Sequence, residues 1–68
     1  MGREYLVKAT QSAYTDDGPV MIETTMITEA EGDLEACQKL YKRLDKSILL
    51  VSNFAIPTKT IKMEEEAR

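Results

Sequence analysis

The chain contains one cysteine and no histidine among its 68 residues, and this restricts how it can be held together. A disulfide within the chain needs two cysteines, and a zinc site formed by one chain needs several Cys or His ligands. Apolar packing must therefore hold the fold together. In a domain of this size one core supplies only about 3–5 kcal/mol, so each apolar face in the sequence matters for folding.

The charge balance disfavours nucleic acid as a partner. Nine basic and 12 acidic residues give a net charge of −3 and a pI near 4.8, whereas proteins that bind a phosphate backbone are usually basic.

The longest apolar run, residues 48–51, is far shorter than the roughly 20 residues of a membrane-spanning helix. Together with the single cysteine, this predicts a cytoplasmic protein without a membrane segment.

Two segments near the N-terminus alternate apolar and polar side chains with a period of two. In residues 4–11 the alternation puts Tyr5, Val7 and Ala9 on one side, and residues 20–27 are rich in β-branched side chains. Between them, residues 15–19 (Thr-Asp-Asp-Gly-Pro) are typical of a turn. The sequence therefore predicts a β-hairpin with a loop of several residues.

A helix is predicted next, because apolar residues recur at alternating spacings of four and three. The stripe comprises Ala30, Leu34, Cys37, Tyr41 and Leu44, with Leu40 beside it. Thr28 and Glu31 fit a capping box at the start, although Gly32 leaves Asp33 as an alternative cap. The position of Cys37 within the stripe predicts an inert core thiol.

The chain after the helix is again typical of a strand. Residues 48–54 open with continuous apolar side chains, which predicts a strand at the centre of the sheet. If this strand lies beside the first strand, every apolar face is covered. Pro57 should end or bend it, and residues 58–63 fit a short edge strand or a continuation past a kink. Residues 64–68 form a charged tail that should fray.

These elements predict one α+β domain over residues 1–63. Its order is β-β-α-β, with residues 58–63 as an optional fourth strand, and one amphipathic helix packs on a small antiparallel sheet in two layers.

Without histidine, a nucleophile would depend on Lys, Asp or Glu as its base. Residues 16–18 (Asp-Asp-Gly) do not continue as a calcium loop. The expectation is a protein that is not an enzyme and has no cofactor, no metal site and no catalytic residues.

A second set of apolar residues falls on the sheet face that should be polar. Leu6, Met21 and Ile27 lie out of phase with the core-facing residues, and one helix covers only one sheet face. The other face is covered by residues 55–63, by another protein or by a second copy in a homodimer. The predicted protein-binding residues are Leu6, Lys8, Met21, Glu23 and Thr25 on the sheet, with Glu31 and Glu35 at the acidic start of the helix.

Two alternatives to a protein-binding module stay open. One is a nucleic-acid-binding module that uses a basic patch near the end of the helix, although such residues commonly decorate a helix C-terminus. The other is a structural homo-oligomer or a subunit of a larger assembly. The basic patch consists of Lys39, Lys42, Arg43 and Lys46.

The order of hairpin, helix and strand over residues 4–56 resembles that of small phage-encoded proteins that bind and inhibit, or assist, a host machine. The resemblance rests on size, acidity and element order, without a shared motif, so no functional residue is carried over. It implies a non-enzymatic phage or prophage factor that acts by occluding the surface of a partner protein.

Overall fold

The secondary structure follows the β-β-α-β order that the sequence predicts. A computed structural model describes residues 2–60, with β1 (Arg3–Thr15), β2 (Gly18–Ala30), α1 (Asp33–Tyr41) and β3 (Leu49–Pro57). The strands form one antiparallel sheet in the order β2-β1-β3, and α1 packs against it. The predicted α+β class, with one helix on a small antiparallel sheet, is confirmed.

The hairpin is longer, and its turn shorter, than the sequence suggests. β1 and β2 pair along their full 13 residues each, and only Asp16 and Asp17 lie between the last paired residues. Gly18 has φ of 112°, a conformation that residues with a Cβ rarely adopt. This glycine lets the chain reverse tightly, and a tight turn fixes the register of the two strands.

The core lies between α1 and one face of the sheet. Tyr5, Val7 and Ala9 of β1 are buried there, as their alternation predicts, in one cluster with Ala36 and Leu40 of α1. Fully burying a side chain such as Val or Leu contributes roughly 1.5–3 kcal/mol. A core of so few large side chains leaves the fold with a small margin of stability.

The helix begins later than the capping box predicts, and that prediction is wrong. Thr28 belongs to β2, so it cannot cap a helix together with Glu31. Gly32 is the N-cap residue and provides no side-chain hydrogen bond. Instead, the Asp33 carboxylate accepts a hydrogen bond of 2.8 Å from the Leu34 backbone N–H.

The buried side of α1 also differs from the predicted stripe. Leu34 is 70% exposed and Tyr41 is 44% exposed, whereas Ala36 and Leu40 are buried. The small side chain of Ala36, four residues before Leu40, allows a closer approach to the sheet than Leu34 would allow. Cys37 is half-buried beside this core.

The strand β3 lies at the edge of the sheet, so its predicted central position is wrong. It does lie beside the first strand, because β1 pairs with both β2 and β3. The register between β1 and β3 shifts between Thr10 and Gln11, and Val51 has no paired partner there. Leu49 and Val51 are exposed, so the apolar run does not mark a strand buried on both sides. Pro57 ends the strand, as expected.

The segment after β3 does not begin as a fourth strand. Residues 58–60 are helical, and the Thr58 hydroxyl donates a 2.8 Å hydrogen bond to the Glu4 carboxylate. The rest of the optional strand, residues 61–63, and the predicted tail, residues 64–68, lie outside the described residues.

Candidate protein-binding face

The sheet face opposite α1 brings together side chains that are scattered in the sequence. Successive residues of a strand point to opposite faces, and among residues 2–57 no helix or strand packs on this face. We call it the open face. The strand register places all five predicted sheet residues on it: Leu6, Lys8, Met21, Glu23 and Thr25.

One row of apolar side chains crosses the open face over all three strands. Leu6 of β1 is in register with Ile27 of β2 and Ile56 of β3, and Phe54 lies in the next row, beside Lys8. Ile27 is 63% exposed and Phe54 is 45% exposed. Directly paired residues have Cβ atoms about 4.5–5.5 Å apart, so these side chains are neighbours. We call Leu6, Ile27, Phe54 and Ile56 the apolar patch.

Charged and polar side chains border the apolar patch on the side of the hairpin turn. Lys8 Nζ lies 3.3 Å from Glu23 Oε1, and both side chains are well exposed. An exposed pair of this kind contributes about 0–1 kcal/mol, so it defines the border more than it stabilises the fold. The last row of the open face that spans all three strands has Met21 and Leu49 on either side of Ser12.

The two acidic residues predicted at the helix start do not belong to the open face. Glu31 lies between β2 and α1, and Glu35 lies on α1, which packs on the opposite side of the sheet. Glu35 Oε1 is 3.7 Å from Lys39 Nζ, and Lys39 Nζ also donates a 2.6 Å hydrogen bond to the Glu29 carbonyl. Lys39 therefore connects α1 to the end of β2.

The four basic residues of the nucleic-acid alternative do not share one helix face, because α1 ends at Tyr41. Lys39 lies within the helix and Lys42 is its C-cap, whereas Arg43 and Lys46 follow in the turn. Lys46 Nζ donates a 2.8 Å hydrogen bond to the Tyr41 carbonyl and lies 4.8 Å from the centre of the Tyr41 ring. It thereby satisfies a carbonyl at the helix end.

A groove of about 420 Å³ runs along α1 beside β3. Asn53 Nδ2 donates a 3.2 Å hydrogen bond across it to the Cys37 carbonyl. Burial, together with the negative charge of Asp33, raises the pKa of the Cys37 thiol. A raised pKa keeps the thiol protonated near neutral pH, which supports an inert cysteine. The groove is lined by Asp33, Leu34, Cys37, Gln38, Tyr41 and Asn53.

Sequence reasoning missed the role of Gln11. It follows Tyr5, Val7 and Ala9 on the core side of β1 and is only 4% exposed. Its Nε2 donates hydrogen bonds to the carbonyls of Asp45, at 2.9 Å, and Ile48, at 3.4 Å. The sequence does contain a signal for this role, because Gln11 occupies the next inward position after three apolar residues. A polar residue at such a position is buried and needs hydrogen-bond partners.

Comparisons with known proteins returned no relative: no family model, no curated protein and no solved structure matches the chain. Within residues 2–60, no helix is long and apolar enough to cross a membrane. The same part of the chain has no group of three His, Cys, Asp or Glu residues placed to hold a metal ion.

Proposed function

We propose that the protein is a small, non-enzymatic protein-binding module and that the open face is its binding surface. The apolar patch carries this proposal. The solvated face of an antiparallel sheet usually carries polar side chains, whereas here one row is apolar across all three strands. A contiguous apolar area with a polar border is typical of an interaction site.

The chemistry of the open face favours a partner protein with an apolar centre and a polar rim. Phe54 is exposed at the edge strand β3, and aromatic side chains are enriched among the residues that dominate interface energies. Lys8 and Glu23 border the apolar patch with one charge of each sign, which suits a rim that fixes orientation more than affinity.

The resemblance to phage-encoded factors suggests a host protein as the partner. On that reading, covering a functional surface of the host protein is sufficient for inhibition, and no chemical step is needed.

The test compares two lysine substitutions on opposite sides of the sheet. Phe54→Lys puts a charge into the apolar patch, and Leu34→Lys puts the same charge on an exposed position of α1. Each variant and the wild type are used to capture proteins from a host-cell lysate. Proteins that are enriched are then titrated against each variant by calorimetry.

A partner of the open face should bind the wild type and Leu34→Lys equally and bind Phe54→Lys at least about tenfold more weakly, because loss of a hot-spot side chain costs about 2 kcal/mol or more. Circular dichroism must show that both variants are folded. The proposal is wrong if every captured protein binds Phe54→Lys as tightly as the wild type, or if the wild type captures nothing specific.

A further inference from the structure

We propose that the outer edge of β2 pairs in antiparallel fashion with β2 of a second copy, with the two-fold axis at Thr24. β1 is paired on both sides, but no strand among residues 2–60 pairs with the outer edge of β2. That edge is 13 residues long and has no register shift. A long, regular edge is a template for another strand. This surface is distinct from the open face and does not depend on its role.

The odd-numbered residues of β2 direct their backbone groups toward this edge. The Glu29 carbonyl accepts a hydrogen bond from Lys39 Nζ, so it is turned away from β1. Pro19 has no N–H to donate to β1, and it is also an odd-numbered residue of β2. Successive residues of a strand direct their N–H and C=O groups to opposite sides, so Glu23, Thr25 and Ile27 also present theirs at the edge.

The side chains of β2 select one register for this pairing. With Thr24 on the axis, Met21 lies opposite the partner's Ile27, and Glu23 lies opposite the partner's Thr25. An axis at Glu23 would put two carboxylates opposite each other, and like charges in that position destabilise a sheet. An axis at Thr25 would put Glu23 against the partner's Ile27.

The same register accounts for the position of Lys39. It places the partner's Pro19 opposite Glu29, and proline has no N–H for the Glu29 carbonyl. Lys39 Nζ already donates to this carbonyl at 2.6 Å. The Glu29 carbonyl is the one outward acceptor of β2 for which the second copy has no donor. Lys39 of the same chain provides that donor.

The pairing also joins the two open faces into one. The row of Ile56, Leu6 and Ile27 continues into the partner's Met21, the partner's Ser12 and the partner's Leu49, so five of its six side chains are apolar. The two-fold axis generates an identical second row. A second copy in this position also adds apolar contacts between neighbouring side chains, and the core of the single chain is small.

The first test measures solution mass by light scattering for the wild type, Thr25→Pro and Thr25→Ala over a hundredfold concentration range. Thr25→Pro removes only an outward N–H, which an edge strand tolerates, and Thr25→Ala changes the side chain but keeps that N–H. The wild type and Thr25→Ala should form dimers of twice 7.7 kDa. Thr25→Pro should weaken the dimer at least about tenfold, because two N–H···O bonds are lost and two carbonyls are left without a donor.

The second test fixes the register and does not depend on whether Thr25→Pro folds. In a Cys37→Ala background, Thr24→Cys should form a disulfide-linked dimer on mild oxidation, since residues in a non-hydrogen-bonded pair have Cα atoms about 4.5 Å apart. Thr28→Cys is the control on the same strand and the same face. The two copies of residue 28 would be about 27 Å apart, and no cross-link should form.

A wild type that stays monomeric over the whole concentration range would overturn the proposal. So would a folded Thr25→Pro variant that dimerises as tightly as the wild type, because the contact would then lie elsewhere. Cross-linking of Thr28→Cys as readily as Thr24→Cys would exclude the proposed register.

Discussion

Gln11 and Asp45 are two residues that position the loop between α1 and β3. Gln11 reaches out of β1 to two carbonyls of this loop, those of Asp45 and Ile48. Within the loop, the Asp45 carboxylate accepts hydrogen bonds from the Ser47 hydroxyl, at 2.6 Å, and from the Ser47 backbone N–H, at 2.9 Å. The path of the chain from the helix to the edge strand is therefore fixed by these polar contacts together with Leu44, which is buried in the core.

Gln11→Leu should destabilise the fold although it adds an apolar side chain to a buried position. The substitution removes the donor for two partly buried carbonyls, and leaving such groups without a partner costs about 1–3 kcal/mol. Urea denaturation followed by circular dichroism measures the change. Gln38→Leu, at an exposed position of α1, should change the free energy of unfolding by less than about 0.5 kcal/mol. Equal effects of the two variants would contradict this role of Gln11.

Ser47→Ala should make the protein less stable at neutral pH but not at low pH. The Ser47 side chain, and then its backbone N–H, hold the pKa of Asp45 below its ordinary value of 3.8. A carboxylate with a lowered pKa stabilises the fold above pH 3.8, and this contribution disappears as the pH falls through the lowered value. Unfolding midpoints from pH 7 to pH 2 should therefore differ between variant and wild type above pH 4 and converge below it. A difference that is constant at all pH values would contradict this prediction. Ser12→Ala is the control, because it removes a serine hydroxyl that is not bonded to Asp45.

At the scale of elements, local sequence pattern predicts the hairpin well and the parts after it less well. The period of two in β1 and β2 determines which side chains face the core. The tight turn fixes which residues of the two strands are paired, so the faces of β2 follow from those of β1. This is why Leu6, Lys8, Met21, Glu23 and Thr25 could be assigned to one face. By contrast, β3 follows β1 in the sequence only after β2 and α1, and a register shift interrupts its pairing with β1. Phe54 and Ile56 were therefore missed.

The helix is present as predicted, but the prediction of its start and of its buried side was wrong for a physical reason. The apolar spacing from Ala30 to Leu44 allowed several phases, and hydrogen bonding of β2 to β1 extended the strand through Ala30. Pairing with a neighbouring strand outweighed the capping preference of Thr28, which contributes only about 1 kcal/mol. The phase of α1 was then set by Ala36 and Leu40 against the sheet.

The start of α1 can be improved, because its N-cap provides no side-chain hydrogen bond. Gly32 has an extended backbone with φ of −163°, and a Cβ there would meet no atom within 4 Å. Gly32→Ser should stabilise the protein by about 0.5–1 kcal/mol through capping and a less flexible unfolded chain. Thermal unfolding measures the gain.

Gly18→Ser is the opposing control for this prediction. It introduces the same side chain at a glycine with φ of 112°, where a residue with a Cβ is strained by about 1 kcal/mol or more. It should destabilise the hairpin. A loss of stability in Gly32→Ser as large as that in Gly18→Ser would contradict the assignment of Gly32 as an unstrained N-cap.

At the scale of the whole molecule, residues 2–60 form a flat plate with a helix on one side. Its principal extents are 43, 29 and 13 Å, and its core clusters around Leu40 and Val7, the largest side chains that are fully buried. With so thin a body, a single core side chain contributes a large fraction of the total stability.

Leu40→Ala should unfold much of the population at room temperature. Truncation of a buried leucine costs about 2–5 kcal/mol, which is comparable to the whole stability expected of a domain of this size. Leu34→Ala is the matched control on the same helix, since Leu34 is 70% exposed and its truncation should cost less than about 0.5 kcal/mol. Both are measured by circular dichroism at one protein concentration. Similar losses in both variants would mean that the helix packs through a different side.

The strand order has a consequence for how the protein is made on the ribosome. β1 is synthesised before the other elements but occupies the middle of the sheet, and one of its two neighbours, β3, is synthesised after α1. The hairpin can form early, whereas one edge of β1 stays exposed until Pro57 has left the ribosome. During that interval the nascent chain carries an unpaired strand edge, which is the feature that chaperones shield in slowly completed β-sheets.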